Sequence, residues 1–564
     1  MVGCRRGGEK FDWLGKFSRK GAKTQKAFSH EEAQRAQKGW LDGLFVGLSN
    51  GCIFSSNLPN EPSSQPFCAL CASSWLKPFC VFAPLRENRG PVFAKNAGMP
   101  SKPVHIVWHR TELRTHDHPA LHHAAQMAQE QNGVVVPVVV IDDKIFARPD
   151  LTPRRQAHFL ENVRALRDAY RALGADLVVR RGDPPTELAR LADELQGVAG
   201  LHFIRNYTPY AKERDAHATK ALEERGAQVH AHPGQYTHEP GEVTTNEGKR
   251  YGVFGAYRKK WVTLPKPDIF EAPASLPKLP AKIKTGDIPT VKSDITLPEA
   301  GEAAALGRLE WFLQNGESTY ERTRDEPGRE DSTSKLSYYF NIGVLSPRLA
   351  FHRAQTEKWR AELTWWDFYA DVLERKGESA KQEYRDNWLG FPWRDGRDAD
   401  SKADLERWRA GQTGYPLVDA GMHELNQTGF MQNRVRMVVA SFLCKHLLID
   451  WRVGEEIFRG LLLCGDRSQN VGNWQWVAGC GVDPSPYFRI FNPTSQGQKF
   501  DPNGDYVRRW LPQLADLPRE KIYEPWKLRQ KPKDYPAPMI ELSAGRDRFA
   551  QTAKEFLKSS EAGE

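Results

Sequence analysis

The sequence lacks several patterns that would assign it to common classes of protein. No uninterrupted apolar run approaches the roughly 18 residues that a membrane-spanning helix needs. No Gly-x-Gly-x-x-Gly pattern follows the first strand-like segment, and neither a P-loop nor a HIGH-type motif is present. These absences argue against a membrane protein, a dinucleotide-binding enzyme, a nucleotide hydrolase and an adenylyl transferase.

Cysteine is sparse and carries no recognisable pattern. The chain has 8 cysteines, five of them in the first 80 residues. Cys68 and Cys71 form a lone Cys-x-x-Cys without a second pair or a histidine partner, which argues against zinc. Nothing resembles a disulfide framework, so we expect a protein of the reducing cytoplasm that holds no metal.

The positive charge is concentrated at one end of the chain. The formal net charge is +9, yet residues 1–98 contain 14 Lys/Arg and 7 Asp/Glu, which leaves 66 and 64 for the remainder. The body of the protein is therefore nearly neutral. Any contact with DNA must come from a local basic patch.

Residues 1–98 do not have the pattern of a folded domain. They combine "KFSRKGAKTQKAF" with the Ser/Pro-rich "SSNLPNEPSSQPF" and show no sustained period of either strand or helix. We expect a disordered leader, or upstream sequence read from an overlong start with Met99 as the natural beginning.

Residues 102–231 alternate between strand and helix patterns. Apolar strand segments such as "PVHIVWH", "GVVVPVVVID", "DLVVRRG" and "GLHFIRN" alternate with amphipathic segments such as "RRQAHFLENVRALRDAYRALGA". Such alternation predicts a doubly wound parallel sheet.

The rest of the chain predicts a second, all-α domain. Residues 232–301 are rich in Pro, Gly, Lys and Thr, typical of a connector wrapped over the surface. Helical patterns then run over residues 302–548, and 549–564 is predicted to be a short tail. Twelve of the 17 tryptophans lie between Trp311 and Trp526, in this helical part.

One segment, "DRSQNVGNWQWVAG" at 466–479, places Trp474 and Trp476 on either side of a glutamine. It is too polar for the usual buried helix and too rich in indole for a solvent loop. This mixture predicts a surface that holds a flat molecule.

A cluster of hydroxyl groups precedes a predicted helix in "STSKLSYYFNIGVLSPR". Ser332, Thr333, Ser334 and Ser337 lie where the helix would begin. Hydroxyls and free N–H groups at such a position suit an anion, for example a pyrophosphate. Simple capping of the helix is the alternative.

The segment "KWRAELTWWDFY" places a carboxylate among indoles. Glu362 lies three residues after Trp359 and three before Trp365, so the three share a helix face. A partly desolvated carboxylate suits proton or hydrogen-bond chemistry. An aromatic core stripe with a solvated glutamate is the alternative.

A basic helical pattern occurs in "GFMQNRVRMVVASF". Asn433, Arg434 and Met437 fall on one side, and Arg436 faces elsewhere. The arginines could pair with phosphates or stack on bases. Surface arginines whose stems cover apolar residues are the alternative.

Taken in order, longer segments resemble one family. "GQTGYPLVDAGMHELNQTGFMQNRVRMVVASFLCKHLLIDWRVGE", "GDRSQNVGNWQW" and "PYFRIFNPTSQGQKFDPNGDYVRRWLP", with "VWHRTELRTHDHPAL" near the start, resemble the photolyase/cryptochrome family. The resemblance spans about residues 102–548 and is strongest to class I cyclobutane pyrimidine dimer photolyases. It implies an α/β antenna domain and a helical FAD-binding domain.

The resemblance also implies an activity. Reduced FAD, excited by light, would pass an electron to a flipped-out cyclobutane dimer in DNA and so repair it. The alternative is a blue-light-sensing cryptochrome with little or no repair. Asn470, where many cryptochromes have an acid or a thiol, favours repair, and Asn433 with Met437 in place of histidines favours cyclobutane dimers over (6-4) lesions.

Four groups of site residues are implied by the resemblance. The FAD contacts are Tyr320, Thr333, Ser334, Leu336, Ser337, Trp359, Arg436, Asp466 and Asn470. The lesion pocket comprises Glu362, Trp365, Asn433, Met437 and Trp476. The electron-transfer residues are Trp393, Trp451 and Trp474. The DNA-backbone contacts are Arg324, Arg434, Arg489 and Lys499.

Further expectations follow from the same resemblance. The protein would be a monomer that binds dimer-containing DNA at the nucleoid, with a possible second antenna chromophore (deazaflavin, flavin or folate). Lys212 before Glu213 stands where folate-binding members tend to have asparagine. Two positions depart from the family: Trp366 replaces a phosphate-binding arginine, and Cys464 replaces an acid expected to pair with Arg436.

Overall fold

The structure is a computed structural model that describes residues 102–562. A five-stranded parallel sheet forms the first part of this range. The strands are β1 (Val104–His109), β2 (Val134–Asp142), β3 (Val178–Gly182), β4 (Gly200–Ile204) and β5 (Gln228–His232). Their order is β3-β2-β1-β4-β5, and all four pairings are parallel. In the central pair, Ile106 is in register with Val136.

Helices cover the sheet because its central strands are apolar on both faces. Every residue of β1 and β2 is buried, as expected of parallel strands between two helical layers. The helices of this region are α1 (Pro119–Glu130), α2 (Asp143–Phe146), α3 (Pro153–Ala172), α4 (Pro184–Glu194) and α5 (Pro209–Glu223). The predicted doubly wound sheet is confirmed, with β5 as an additional edge strand.

The segment 232–301 is more than a surface connector. It contains helix α6 (Phe254–Thr263), whose Tyr257 and Trp261 are fully buried. The Tyr257 ring lies 5.2 Å from that of Phe368 in the helical part. The expectation of a segment that only wraps the surface was therefore wrong, because α6 forms part of the packing behind the candidate site.

Residues 302–562 contain helices and, within the described backbone, no strand. The α-helices are α7 (Glu302–Asn315), α8 (Tyr320–Thr323), α9 (Ser337–Asn341), α10 (Pro347–Arg353), α11 (Glu357–Arg375), α12 (Ala399–Ala410), α13 (Pro416–Thr428), α14 (Asn433–Ser441), α15 (Trp451–Leu461), α16 (Arg467–Ala478), α17 (Pro493–Phe500), α18 (Asp505–Trp510) and α19 (Leu542–Ala562). A π-helical turn, Phe442–His446, continues α14. The all-α prediction is confirmed.

The C-terminal residues belong to the packed core. Phe549 and Ala553 of α19 are fully buried, and the Phe549 ring stacks on Trp393 with centroids 6.1 Å apart. The predicted boundary at residue 548 thus falls within a packed helix. Residues 549–562 belong to that helix and do not form a separate tail. The predicted leader, 1–98, lies outside the described residues.

Residues 102–562 contain neither a membrane-spanning helix nor a metal-binding group of side chains. None of the helices in this range is long and apolar enough to cross a membrane. Within the same residues, no group of three or more His, Cys, Asp or Glu side chains could hold a metal ion.

Candidate active site

The segment with two tryptophans is a largely buried helix, α16, contrary to the expectation from its polarity. Its polar side chains are buried because they are paired. Gln475 donates to the carbonyls of Ser379 (2.7 Å) and Gln382 (2.9 Å) and accepts from the backbone N–H of Tyr384 (3.2 Å). Asp466 caps the helix by accepting from the Gln469 N–H at 2.9 Å. The glutamine between the tryptophans thus tethers the loop 379–384.

Two glycines let α16 lie close against its neighbours. A Cβ at Gly454 of α15 would lie 2.2 Å from the Trp474 ring, and one at Gly472 would lie 2.2 Å from the ring of Tyr369 in α11. Real carbon atoms do not approach so closely. The lack of a side chain at Gly454 therefore lets the Trp474 ring pack on α15, and the lack of one at Gly472 lets α16 pack on Tyr369.

Asn470 is held in one orientation by Glu455. The Asn470 amide nitrogen donates both to the Glu455 carbonyl and to its carboxylate Oε1, each at 2.9 Å. Arg459 donates to the same Oε1 at 3.0 Å and orients the carboxylate. Because both partners of the amide nitrogen are acceptors, the amide oxygen is the group left to interact elsewhere, and it can only accept.

The predicted hydroxyl cluster precedes α9. Arg308 donates to the carbonyls of Ser334 (2.8 Å) and Thr333 (3.2 Å), and Lys335 adopts a left-handed φ of 53°. Within the described residues, the hydroxyls of Thr333, Ser334 and Ser337 have no hydrogen-bond partner. Leu336 is fully buried beneath them. This turn can therefore offer three hydroxyls to an anionic ligand.

Two predicted cofactor contacts, Tyr320 and Trp359, are buried beside the same region. Both pack on Phe312, with ring centroids 5.8 Å and 5.1 Å away. Burial, followed by the Glu362 carboxylate, raises the pKa of Tyr320, so its hydroxyl stays protonated as a donor.

Trp366 connects the hydroxyl cluster to α16. Its ring lies 5.9 Å from Phe340 in α9, and its carbonyl accepts from Gln469 Nε2 at 2.9 Å. Its indole N–H is buried and has no partner within the described part of the chain. An unpaired buried donor between α9 and α16 fits a ligand rich in acceptors, as FAD is.

Arg436 meets a thiol where an acid was expected. Its Nη2 lies 3.3 Å from Cys464 Sγ, and its Nε donates to the Met431 carbonyl at 2.6 Å. The Met431 carbonyl and the Cys464 thiol therefore hold the Arg436 guanidinium in place, although position 464 offers no carboxylate.

Glu362 and three of the predicted DNA contacts lie along one continuous row. Arg324 pairs with Glu362, and Asp325 pairs with Arg434 at 2.6 Å and with Arg324 at 3.9 Å. Arg434 covers one face of Phe500 at 4.5 Å from the ring centroid, and the Lys499 ammonium lies 5.1 Å from the same centroid. Both arginines are thus paired with carboxylates in this structure, and their contact with DNA stays a prediction.

The other predicted lesion residues contact one another or a predicted DNA contact. Asn433 is exposed at the start of α14, with its amide nitrogen 3.8 Å from Met437 Sδ. Exposed Arg489 lies 5.9 Å from the Trp476 ring centroid.

Trp365 stacks on Phe254 of α6 at 3.5 Å and 9°. One face of this indole is therefore covered by a residue that the sequence did not reveal, because Phe254 lies in the supposed connector. The structure does not place Trp365 and Trp476 in contact.

Two of the three predicted electron-transfer tryptophans share an unpredicted partner. Trp474 and Trp451 are buried, and Trp393 is half-buried. The indole N–H groups of Trp393 (3.1 Å) and Trp451 (3.4 Å) both donate to Oε1 of Glu383. Glu383 lies on the loop that Gln475 tethers, so no signal along the sequence connects it with these tryptophans.

In the sheet domain, two arginines that are paired with carboxylates lie beside Trp108 of β1. The guanidinium groups of Arg110 and Arg214 lie 4.8 and 5.0 Å from the Trp108 ring centroid. Lys212, one of the residues considered for an antenna chromophore, pairs with Glu374 of α11 at 2.7 Å. Lys212 thus joins the sheet domain to the helical part.

Family models divide the chain much as the fold does, into a sheet-containing part and a helical, flavin-binding part. Residues 359–555 match the FAD binding domain of DNA photolyase, and residues 105–278 match the DNA photolyase family. The chain belongs to the DNA photolyase family.

Curated relatives of this family cover most of the chain. A deoxyribodipyrimidine photo-lyase of Thermus thermophilus is 39% identical over 459 residues, 80% of this chain and 99% of that protein. The protein of the same name from Escherichia coli K12 is 34% identical over 468 residues, 78% of this chain and 97% of that one.

Solved structures agree with the fold. A class III photolyase from Agrobacterium tumefaciens superposes with a TM-score of 0.72 at 33% identity, covering 83% of this chain and all of that one, 100%. A cryptochrome from Synechocystis sp. PCC6803 gives 0.71 at 30% identity, covering 80% and 99%. An archaeal photolyase from Sulfolobus tokodaii with two FAD molecules gives 0.70 at 26%, covering 80% and 100%.

Proposed function

We propose that this protein repairs cyclobutane pyrimidine dimers in DNA, using light and reduced FAD. The observation that carries the proposal is the orientation of Asn470. With its amide nitrogen occupied by Glu455, it presents an oxygen acceptor, which suits a protonated ring nitrogen of reduced flavin. A carboxylate at this position would instead add a charge.

The residues around the site fit the proposed cofactor. Thr333, Ser334 and Ser337 would hold the pyrophosphate and ribityl groups, and Tyr320 and Trp359 would close the buried side. Arg436 and Asp466 would lie near the flavin ring. When bound and reduced, FAD supplies the electron that near-ultraviolet or blue light sends to the dimer. Net redox balance is kept because the electron returns after the ring opens.

The protein side chains bind the lesion and position it. Trp365 and Trp476 would stack on a flipped-out dimer, which costs less to extrude than an intact pair. Glu362 would accept a base N–H, and the Asn433 amide would both donate and accept. Arg324, Arg434, Arg489 and Lys499 would contact phosphates. Three of them, Arg324, Arg434 and Lys499, form a local basic row beside carboxylates on a body that is otherwise nearly neutral.

A signalling cryptochrome is the second candidate. It is favoured by the similarity to the Synechocystis protein, which is called a cryptochrome. Cys464 beside Arg436 also departs from the acid that the family pattern has there. The two candidates bind the same cofactor, so repair itself must distinguish them.

The test is light-dependent repair of a thymine-dimer oligonucleotide by the full chain with reduced FAD. We expect thymine absorbance to recover under blue light and not in the dark. The double variant Glu362→Ala plus Trp365→Ala should repair at least about 100-fold more slowly, because it loses a charged hydrogen bond and a stacking surface.

A matched control is Glu321→Gln, which removes a carboxylate from the exposed side of α8. It should repair at the unaltered rate. Bound FAD without repair in light by the unaltered protein would favour the cryptochrome instead.

We further propose residues 102–231 as an antenna domain, 232–301 as a connector with α6 docked on the catalytic part, and 302–562 as the FAD-binding part. A second chromophore is supported by the similarity to the Sulfolobus photolyase, which was solved with two FAD molecules. Absorption spectroscopy of the purified protein after FAD extraction would detect a deazaflavin, flavin or folate.

A further inference from the structure

Glu383 occupies a position between two of the three electron-transfer tryptophans. It is 1% exposed, and its Oε1 accepts the indole N–H of Trp393 at 3.1 Å and that of Trp451 at 3.4 Å. A single carboxylate oxygen therefore touches both rings at the nitrogen, where positive charge increases when an indole is oxidised.

The surroundings hold this carboxylate in place. Arg452 donates to both of its oxygens at 2.8 Å, and also to Asp450 at 2.7 Å. The backbone N–H of Arg385 donates to the Cys480 carbonyl at 3.1 Å, and Gln475 fixes residues 379–384. The loop that carries Glu383 is thus tied to the helix that carries Trp474.

We propose that Glu383 is a positioning residue of the photoreduction chain, whose negative charge stabilises the oxidised form of Trp451 and Trp393. The inference rests on the proposed function, because it needs the tryptophans to serve a bound flavin. A hydrogen bond from a donor that becomes positive to an anionic acceptor strengthens as the charge develops.

The electrons balance along the chain. Bound FAD would supply the light-driven oxidation. Trp474 would give up one electron, Trp451 would replace the electron lost by Trp474, and Trp393 would replace the electron lost by Trp451. One positive charge then lies on Trp393, beside Glu383, until a thiol reductant in solution supplies an electron. No covalent bond forms, and both indole protons stay in their hydrogen bonds to Glu383.

The first experiment is laser-flash absorption on the FAD-loaded full chain and its Glu383→Gln variant. The amide keeps the size and an acceptor oxygen but loses the charge. We expect the oxidised tryptophan to recombine about tenfold faster. The reason is that replacing the charged acceptor with a neutral one weakens the hydrogen bond by about a factor of ten in its equilibrium constant. The yield of photoreduction should fall accordingly, and an unchanged lifetime contradicts the proposal.

Arg452→Gln provides a test in the opposite direction. It removes the cation that offsets Glu383, at a side chain that is 33% exposed and therefore tolerant. The oxidised tryptophan should live as long as in the unaltered protein or longer. If the lifetime of the oxidised tryptophan were shortened equally in both variants, the loop would only support the packing. That result would overturn the inference even if Glu383→Gln folded poorly.

A third readout needs no photochemistry. The indole N–H resonances of Trp393 and Trp451, assigned through Trp→Phe variants, should move upfield in Glu383→Gln. If neither resonance moves, the shared hydrogen bonds are absent and the proposal fails. Repair by the chemically reduced, unaltered protein is measured in parallel, because loss of that repair would contradict the proposed function and not the role of Glu383.

Discussion

Glu455 fixes the orientation of Asn470, the residue proposed to face the flavin ring. We predict that Asn470→Ala lowers the midpoint potential of bound FAD by about 20 mV, the equivalent of ~1 kcal/mol for a two-electron couple. The reason is that the amide oxygen, the acceptor left free by Glu455, is lost. A spectroelectrochemical titration measures the shift.

Asn473→Ala is the matched control. Asn473 lies on the exposed side of the same helix and donates to the Gln469 carbonyl at 2.8 Å. Its removal should leave the potential unchanged. A potential that is equal in all three proteins would show that Asn470 does not contact the flavin.

Individual site residues were predictable where a helix brings neighbours in the sequence together. Asn433 and Met437 are one turn apart and meet in space. Glu383 and Phe254 were not predicted, because Glu383 reaches Trp451, and Phe254 reaches Trp365, across a long separation in the sequence. The role of Gln475 was hidden too, since its partners are backbone groups of a distant loop. Such contacts depend on tertiary packing, which local patterns do not encode.

Close contact between elements predicts which glycines matter. Gly454→Ala should destabilise the protein by about 1–3 kcal/mol, because the new methyl group would overlap the Trp474 ring and the Leu443 side chain. The measurement is chemical unfolding followed by flavin release and far-ultraviolet dichroism.

The control for Gly454 is Gly307→Ala in the middle of α7. Apart from its chain neighbours and the backbone of its own helix, no described atom lies within 4 Å of a Cβ at Gly307. The substitution should stabilise the protein by about 0.5–1 kcal/mol through helix propensity alone. If both alanines had the same effect, the close packing of α15 on α16 would not be what limits position 454.

Among the elements, those with strong periodicity were predicted and those with mixed composition were not. The buried strands β1 and β2 are continuous apolar runs, which are typical of a parallel sheet. Strand β5 reads "QVHAH", and its edge position leaves it partly exposed, so it lacks that signal. Helix α16 was missed because its buried polar groups resemble a loop until their partners are known.

The molecule as a whole carries a relay of histidines across the sheet. His105 Nε2 contacts Gln131 Oε1 at 3.1 Å, so it donates there and its Nδ1 accepts from His202 Nε2 at 3.2 Å. His202 Nδ1 then accepts from His232 Nε2 at 3.3 Å. Burial lowers the pKa of all three rings, so each ring in this relay is neutral at neutral pH.

This relay predicts that the protein loses stability in mild acid. Burial, followed by neighbouring histidines, lowers the pKa of His202 to about 2 and that of His232 to about 4, against about 6.5 in the unfolded chain. The unfolded state therefore binds more protons below pH 6.5, and stability present above that pH is lost as pH falls. His202 alone should cost about 2 kcal/mol at pH 5, at 1.36 kcal/mol for each pH unit.

The measurement is the midpoint of thermal unfolding between pH 7.5 and 5 for the unaltered protein and for His202→Phe, which keeps an aromatic ring between His105 and His230. The phenylalanine variant should be less stable at pH 7.5, because His105 and His232 lose their partner, and yet its midpoint should fall less on acidification. His217→Gln removes an exposed histidine from α5, and the fall of the unaltered protein should persist in it. If the unfolding midpoint of His202→Phe falls as steeply on acidification as the midpoints of the other two proteins, proton uptake in acid is governed by groups outside the relay. A shallower profile at position 202 alone would show that this row of neutral rings makes the sheet domain sensitive to acid.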